Sequence, residues 1–241
     1  FRAVFEEASH EAKIAFSDPT LYLEKYLENP KHIEIQVLGD EQGNCIHLGE
    51  RDCSTQRRKQ KIIEETPSPV ITQQKRNSIG KKVSRALKEL GYSNAGTVEF
   101  LYENGQFYFM EMNTRIQVEH PITEISTSVD LIKEQIQIAA GEPLKWNQSD
   151  ISWDYHVIEC RINAEDPSQN FIPFAGPVHN VVFPAGPGIR IDTSIYPGSY
   201  ISPHYDSMVA KIIAFDNNRE FAIARMIRAL KEFEIEGIKT N

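Results

Sequence analysis

Two glutamates stand in otherwise apolar runs. Glu99 lies in Gly96-Thr97-Val98-Glu99-Phe100-Leu101 and Glu111 in Phe109-Met110-Glu111-Met112-Asn113. A carboxylate is costly to bury unless it is paired or bound to a cation, and two side by side repel unless a cation lies between them. Asn113 adds a neutral oxygen on the face of Glu111, two residues along the same strand. Three oxygen donors with no nitrogen or sulfur suit Mg²⁺ or Mn²⁺, which keep further positions for phosphate oxygens and water. Spacing alone supports equally a solvent-facing row of carboxylates on a half-exposed hairpin. The connection Glu103-Asn104-Gly105 bears on the choice. A two-residue Asn-Gly turn sets Glu99 opposite Met110 and sends Glu111 to the other face. A three-residue loop with Gly105 left-handed makes the two glutamates diagonal neighbours on one face. A shared metal therefore predicts a type I turn with a G1 bulge, and a positive φ at Gly105.

The next residues, Asn113-Thr114-Arg115-Ile116-Gln117-Val118-Glu119-His120-Pro121, carry a planar cationic fork in Arg115 and a candidate general base in Glu119. His120, ahead of Pro121, reads as structural. Upstream, residues 51–61 gather Arg51, Arg57, Arg58, Lys59 and Lys61 around Gln56. Basic runs are usually solvated faces. Beside a metal hairpin in an acidic chain, this one also suits a triphosphate channel.

These groups must be held by surrounding elements. Phe5, Ala8, Ala12 and Phe16 recur at helical spacing over residues 2–16, and Asp18-Pro19 ends that helix. Residues 21–27 read as a strand. Residues 32–37 alternate polar and apolar, a half-buried strand that turns through 40–44 into a partner at 45–50. A helix is expected from Thr72, as N-cap, to Leu90, with Gly91 as its stop. Strands follow at 96–102 and 106–112, then a helix at 130–140 ending at Gly141. Further strands are expected at 155–163, 178–183, 189–193 and 208–215, with residues 184–187 as a loop between strands. A last helix starts near Asn218 and includes Phe221, Ala224, Ile227, Leu230 and Phe233. Antiparallel strands mixed with helices give an α+β class.

Composition narrows the function. The chain has 241 residues and a net charge of -8, from 26 Lys plus Arg and 34 Asp plus Glu. An acidic balance argues against nucleic acid as a partner. No stretch approaches the ~20 apolar residues of a membrane span, and the N-terminus does not resemble a signal peptide. Three cysteines, Cys45, Cys53 and Cys160, give no disulfide framework and fit a reducing cytosol. Plain packing is the preferred reading of Cys53 and Cys160. There is no zinc pattern. A start at Phe1 rather than Met reads as a piece of a longer protein.

Four stretches, in order along the chain, carry a resemblance. They are Glu50-Arg51-Asp52-Cys53-Ser54-Thr55-Gln56-Arg57-Arg58, residues 107–124, Glu159-Cys160-Arg161-Ile162-Asn163-Ala164-Glu165-Asp166-Pro167, and Tyr205-Asp206-Ser207-Met208. Together they resemble biotin carboxylase, an ATP-grasp enzyme, over the whole chain. The resemblance implies an ATP-grasp C-terminal catalytic half with an antiparallel sheet and packed helices, plus a truncated biotin carboxylase C-terminal subdomain. Residues 1–27 would be the remnant of the lid and hinge, 28–144 the catalytic half and 145–241 the subdomain. Glu24-Lys25-Tyr26-Leu27 would be the hinge meeting adenine, with Glu24, Lys25 and Leu27 in contact. His32 and Gln56 would contact ribose or phosphates, Leu101 would line the nucleotide pocket and Lys61 would reach the phosphates.

By the same resemblance Glu99, Glu111 and Asn113 would hold the metals, and Arg115, Gln117 and the Val118 backbone would bind bicarbonate. Glu119 would remove the proton of bicarbonate, which then attacks the γ-phosphate of ATP to give carboxyphosphate. This collapses to CO₂ and phosphate, and the phosphate takes the N1′ proton of biotin. Arg161 would stabilise the biotin enolate; its plainer reading is a surface ion pair on a strand. Implied partners are biotin carboxyl carrier protein, carboxyltransferase subunits and a second copy in a homodimer, in the cytoplasm. The implied role is the first half-reaction of acetyl-CoA carboxylase in fatty acid synthesis. Propionyl-CoA, methylcrotonyl-CoA and pyruvate carboxylases share the site, and Thr114 leans away from the last. A contrasting, non-enzymatic reading takes the chain by itself as an inactive structural fragment. One departure is Lys59, where the family often has His.

Overall fold

The alternation at residues 32–37 becomes β1 (Lys31–Gly39), which pairs with β2 (Cys45–Arg57). The second strand runs well beyond Glu50, because polar side chains continue to find partners in the sheet interior. A further strand that the pattern does not announce, β3 (Gln60–Thr66), returns antiparallel after a turn at Arg58 and Lys59, both with positive φ. β4 (Asn94–Glu103) lies on the other side of β1, and β5 (Gln106–Asn113) closes that edge. β6 (His156–Asn163), β7 (Ile189–Thr193) and β8 (Met208–Asp216) extend the opposite side. The result is one eight-stranded sheet, in the order β7-β8-β6-β3-β2-β1-β4-β5, with every neighbouring pair antiparallel. The expected strand at 178–183 is limited to Asn180–Val182 in a separate small ladder. Residues 184–187 form the expected loop.

The helices follow their sequence signals closely. α1 is Arg2–Phe16. α2 is Gln73–Glu89, with Thr72 capping Lys75 N–H. Its end is a Schellman closure: Tyr92 N–H donates to Leu87 O and Gly91 N–H to Lys88 O, with Gly91 at φ +67°. α3 (His120–Thr127) is an addition to the expected set; Pro121 sits in its first turn, where a missing N–H costs nothing. α4 (Leu131–Ala139) starts on an Asp130 cap, and α5 (Arg219–Glu232) starts on an Asn218 cap.

The computed structural model describes residues 1–241 and separates into two units, Phe1–Pro30 and Lys31–Asn241. The first holds α1 and an irregular run. The strand expected at 21–27 is absent there: this stretch has no ladder partner, and Tyr22, Leu23 and Tyr26 are exposed. A strand without a neighbour leaves its backbone groups unpaired by the chain, which overrides local β-propensity.

In the second unit the strand alternation divides two environments. Ile35, Val37, Val98 and Phe100 pack against Val83 and Leu87 of α2. Glu34, Gln36, Thr97 and Glu99 point to the other face, where α4 covers Leu38, Ile46, Leu48 and Ala95 near one end. A second apolar core joins Ile158, Cys160, Ile162, Ala210 and Ile212 to Ala222, Met226 and Ala229 of α5. No helix is long and apolar enough to cross a membrane.

Gly49 shows how tightly the α4 end is fitted. It has φ +85°, and a Cβ there would lie 2.2 Å from Trp153 Nε1, which donates to Leu48 O at 2.9 Å. Gly49→Ala combines backbone strain with a displaced indole. It is expected to destabilise the full-length protein by about 1–3 kcal/mol. A wild-type denaturant midpoint for that variant would refute the fit.

Candidate active site

The β4–β5 hairpin is the first part of the site, and it is built differently from the expected turn. Asn104 and Gly105 have φ 50° and 83°, and Glu103 pairs with Gln106, so the connection is a two-residue type I′ turn. The type I turn with a G1 bulge is therefore not formed. The register changes further along: Phe100 opposes Phe109, but Glu99 opposes Glu111. Met110 is the extra residue of a β-bulge, and that one insertion flips Glu111 onto the face of Glu99. The two glutamates are directly opposed rather than diagonal, and Gly105 does have positive φ. Asn113 Nδ2 donates to Glu99 at 2.8 Å and to Glu111 at 3.3 Å. An NH₂ group thus sits where a cation would balance the two charges. Turning the Asn113 amide by half a rotation would present Oδ1 instead, completing the three-oxygen set for Mg²⁺.

Across β1, His32 stands opposite Leu101 and Glu34 opposite Glu99. Gln56 donates to His32 Nδ1 at 3.0 Å, which leaves the imidazole proton on Nε2, 2.6 Å from Glu99. Burial alone would raise the Glu99 carboxyl; the bond from His32 and the charge of Lys61 overturn that and hold it at about 2. The site is thus built to keep Glu99 ionised. His32, Glu34 and Glu99 also bring three possible ligand atoms within 4.8 Å of one another. Lys61 Nζ already sits in that cluster, 2.6 Å from Glu34 and 3.6 Å from Glu99.

The segment after β5 folds back over the sheet and ends at Glu119, just before α3. Glu119 is buried, with one oxygen 2.5 Å from Lys61 and the other 2.9 Å from Arg161. Arg161 also donates to Glu64 at 2.6 Å. Lys61, Arg161 and Val118 line a cleft of about 440 Å³ together with Asn163, Ser207 and Met208. Arg115 is exposed, bonded to Ile116 O and Asn113 Oδ1, both at 3.1 Å. Gln117 is turned inward: its amide oxygen accepts from Arg51 at 2.8 Å and its nitrogen donates to Glu99 at 2.6 Å. Val118 O accepts from Lys211 at 2.8 Å. His120 Nδ1 lies 2.8 Å from Gln117 O, the structural role expected of it.

The structure brings together His32, Gln56, Lys61, Glu99, Glu111, Asn113, Gln117, Glu119 and Arg161 through a chain of contacts. Glu24, Lys25 and Leu27 lie in the other unit. The basic run does not act as one patch. Arg51 is fully buried, Arg57 pairs with Glu165 and lies over the Phe171 ring, and Arg58 and Lys59 form a turn. Lys59 and Lys61 both line the cleft. Sequence reasoning missed Glu34, Gln36, Glu64, Glu159 and Lys211, and it gave Arg51 to a phosphate channel rather than to the sheet interior. The signal was available: His32-Glu34-Gln36 and Glu159-Arg161 are polar residues at period two inside apolar strands.

Two family models cover most of the chain. Residues 1–147 match the one described as Carbamoyl-phosphate synthase L chain, ATP binding domain, and residues 159–241 the Biotin carboxylase C-terminal domain. The chain belongs to the biotin carboxylase family. Its resemblance to a curated biotin carboxylase from Allochromatium vinosum is 58% identity over 96% of this chain and 51% of that protein. To a pyruvate carboxylase subunit from Methanothermobacter thermautotrophicus it is 54%, over 100% of this chain and 51% of that one. It is 52% identical to the biotin carboxylase domain of a 2-oxoglutarate carboxylase from Hydrogenobacter thermophilus. That structure is a dimer with MgADP, ADP and bicarbonate; the TM-score is 0.93, over 99% of this chain and 53% of that one. The chain spans about half the length of the curated relatives it matches.

Proposed function

We propose that the full-length protein uses ATP to carboxylate biotin with bicarbonate, and that this chain supplies the wall of the site facing bicarbonate and biotin. The observation that carries the reading is Glu119, a buried carboxylate gripped by Lys61 and Arg161 at a cleft, one contact from ionised Glu99. Arg115 and the Val118 backbone hold bicarbonate, with Gln117 contributing once its amide is released from Arg51 and Glu99. Glu119 takes the bicarbonate proton, and Arg161 stabilises the enolate of biotin as its charge develops. Lys61, His32, Gln56 and Leu101 meet the nucleotide, and Glu24, Lys25 and Leu27 its adenine. Mg²⁺ or Mn²⁺ held by Glu99, Glu111 and Asn113 would neutralise charge on the phosphates.

Residues 1–27 act as remnant of lid and hinge, 28–144 as catalytic half and 145–241 as C-terminal subdomain. The biotin is carried by biotin carboxyl carrier protein in the cytoplasm, beside carboxyltransferase subunits, and the protein works as a homodimer. Acetyl-CoA is the proposed final acceptor. Relatives named for pyruvate and for 2-oxoglutarate carboxylation are similarly close, which favours those acceptors as the second reading.

The test is biotin-dependent ADP release by the full-length protein, titrated with Mg²⁺. Glu99→Gln is expected to raise the Mg²⁺ needed for half activity by at least about tenfold, the scale seen when even an outer partner of a metal ligand is lost. An unchanged Mg²⁺ curve would remove Glu99 from the metal site. No biotin-dependent turnover by the wild type would reject the function.

A further inference from the structure

Behind Arg161, β3 and β6 set two glutamates against each other. Glu64 and Glu159 are register partners, and both side chains are fully buried. Opposed residues in an antiparallel pair share a face, with Cβ atoms roughly 4.5–5.5 Å apart. Glu64 Oε1 accepts from Arg161, but its Oε2 has no hydrogen-bond partner, and neither oxygen of Glu159 has one. Buried polar atoms are rarely left unpaired. No donor comes from above, because Val157 and Ile213, which flank Glu159 on β6 and β8, pack under Ile122 of α3.

The charges around the pair are several. Arg51 and Cys53 come from β2, Lys61 from β3, Arg161 from β6 and Lys211 from β8, while Glu34 comes from β1. Glu119 precedes α3, whose own titratable groups are His120 and Glu124. The cations are largely committed: Arg51 and Lys61 to Glu34, Lys61 and Arg161 to Glu119, Lys211 to Val118 O and Asp192. An ionised Glu159 would thus be a buried charge with no direct partner, which is strongly unfavourable.

We propose that Glu159 is a neutral acid whose hydroxyl donates to the orphaned Oε2 of Glu64, and that the anionic Glu64 so anchored is a positioning residue for Arg161. The positioning half rests on the role given to Arg161 above; the proton half does not. Burial, then repulsion by Glu64, pushes the Glu159 carboxyl well above the ordinary range. Glu64 is raised by burial to about 7 in spite of Arg161. One shared proton satisfies two orphaned oxygens at once. It also leaves the negative charge of the pair on the side of Glu64 that meets the guanidinium. Glu119 holds the same guanidinium, which lines the cleft.

Infrared spectra of the full-length protein, followed across neutral pH, read the proton directly. A carboxylic-acid C=O band is expected in the wild type near pH 7 and is expected to disappear in Glu159→Gln. Steady-state kinetics read the positioning. Glu64→Gln is expected to lower kcat roughly 10- to 100-fold with little change in KM for ATP, the scale of a misplaced catalytic group. Glu64→Asp keeps the charge and is expected to lose less, which gives a kinetic reading even if Glu64→Gln does not fold. A wild type without the band, or a band that survives in Glu159→Gln, would overturn the shared proton. Wild-type kcat in both Glu64 variants would overturn the positioning role. Wild-type turnover in Arg161→Gln would instead overturn the function given to Arg161, while the band would still report on the proton.

Discussion

Glu119→Gln in the full-length protein is expected to lower biotin carboxylation by roughly two to four orders of magnitude while ATP still binds. Loss of a general base is typically worth that much, and here geometry adds to it. Each Glu119 oxygen faces a cation, Lys61 on one side and Arg161 on the other. A glutamine has one oxygen, so its NH₂ must point at an ammonium or at a guanidinium. The variant therefore loses the proton acceptor and loosens one of the two cations that shape the cleft. Glu119→Asp separates these effects, since it keeps the charge but withdraws it from both partners. ATP affinity measured by calorimetry is expected to change little in either variant, because the proposed nucleotide contacts of Lys61, His32 and Gln56 remain. Near-normal steady-state turnover in Glu119→Gln would remove it from the base role. A thermal melt close to wild type shows that a loss of rate is not a loss of fold.

The residues of this cleft are visible in the sequence, but the way they are assembled is not. Glu99, Glu111 and Asn113 stand out because carboxylates in apolar strands need an explanation. The turn between them misleads, because its loop is only one possible source of register. A bulge at Met110 does the same work four residues away, and no feature of Phe109-Met110-Glu111 marks it. The helices are legible through their caps, as at Thr72, Asp130 and Asn218, because a cap acts through neighbouring residues. Strand order is not, since β3 lies between β2 and β6 through contacts almost 100 residues apart. That pairing brings Lys61 to Arg161, and with it the whole cleft. The basic run shows the same limit. Local composition gives five cations in a row of eleven residues, whereas the fold buries Arg51, pairs Arg57, leaves Arg58 in a turn and sets Lys59 and Lys61 along the cleft.

The buried member of that run carries the largest expected effect on stability. Arg51→Met in the full-length protein is expected to cost about 3–5 kcal/mol, the usual consequence of removing one partner of a buried ion pair. Arg51 is fully buried and donates to Glu34 at 2.5 Å, Gln36 at 2.6 Å, Gln117 at 2.8 Å, Thr123 at 3.0 Å and Thr97 at 3.2 Å. These acceptors sit on β1, on β4, on the segment before Glu119 and on α3, so one side chain ties the sheet to the elements that carry the site. Methionine fills much of the space and supplies none of the five bonds. pH gives the test a second dimension. Burial alone would raise Glu34; Arg51 and then Lys61 reverse this and hold it at about 2, below its ordinary 4.5. A carboxyl that is more acidic in the folded state contributes stability that is complete above the unfolded value and is lost as pH falls through the folded one. Without Arg51, burial acts on Glu34 with only Lys61 to oppose it. The deficit of the variant is therefore expected to be largest from neutral pH down to about 4.5 and to shrink toward about 2. Denaturant melts of wild type and variant at several pH values measure it. A deficit under about 1 kcal/mol at neutral pH, or one that grows on acidification, would show that the Arg51–Glu34 pair does not hold this part of the fold.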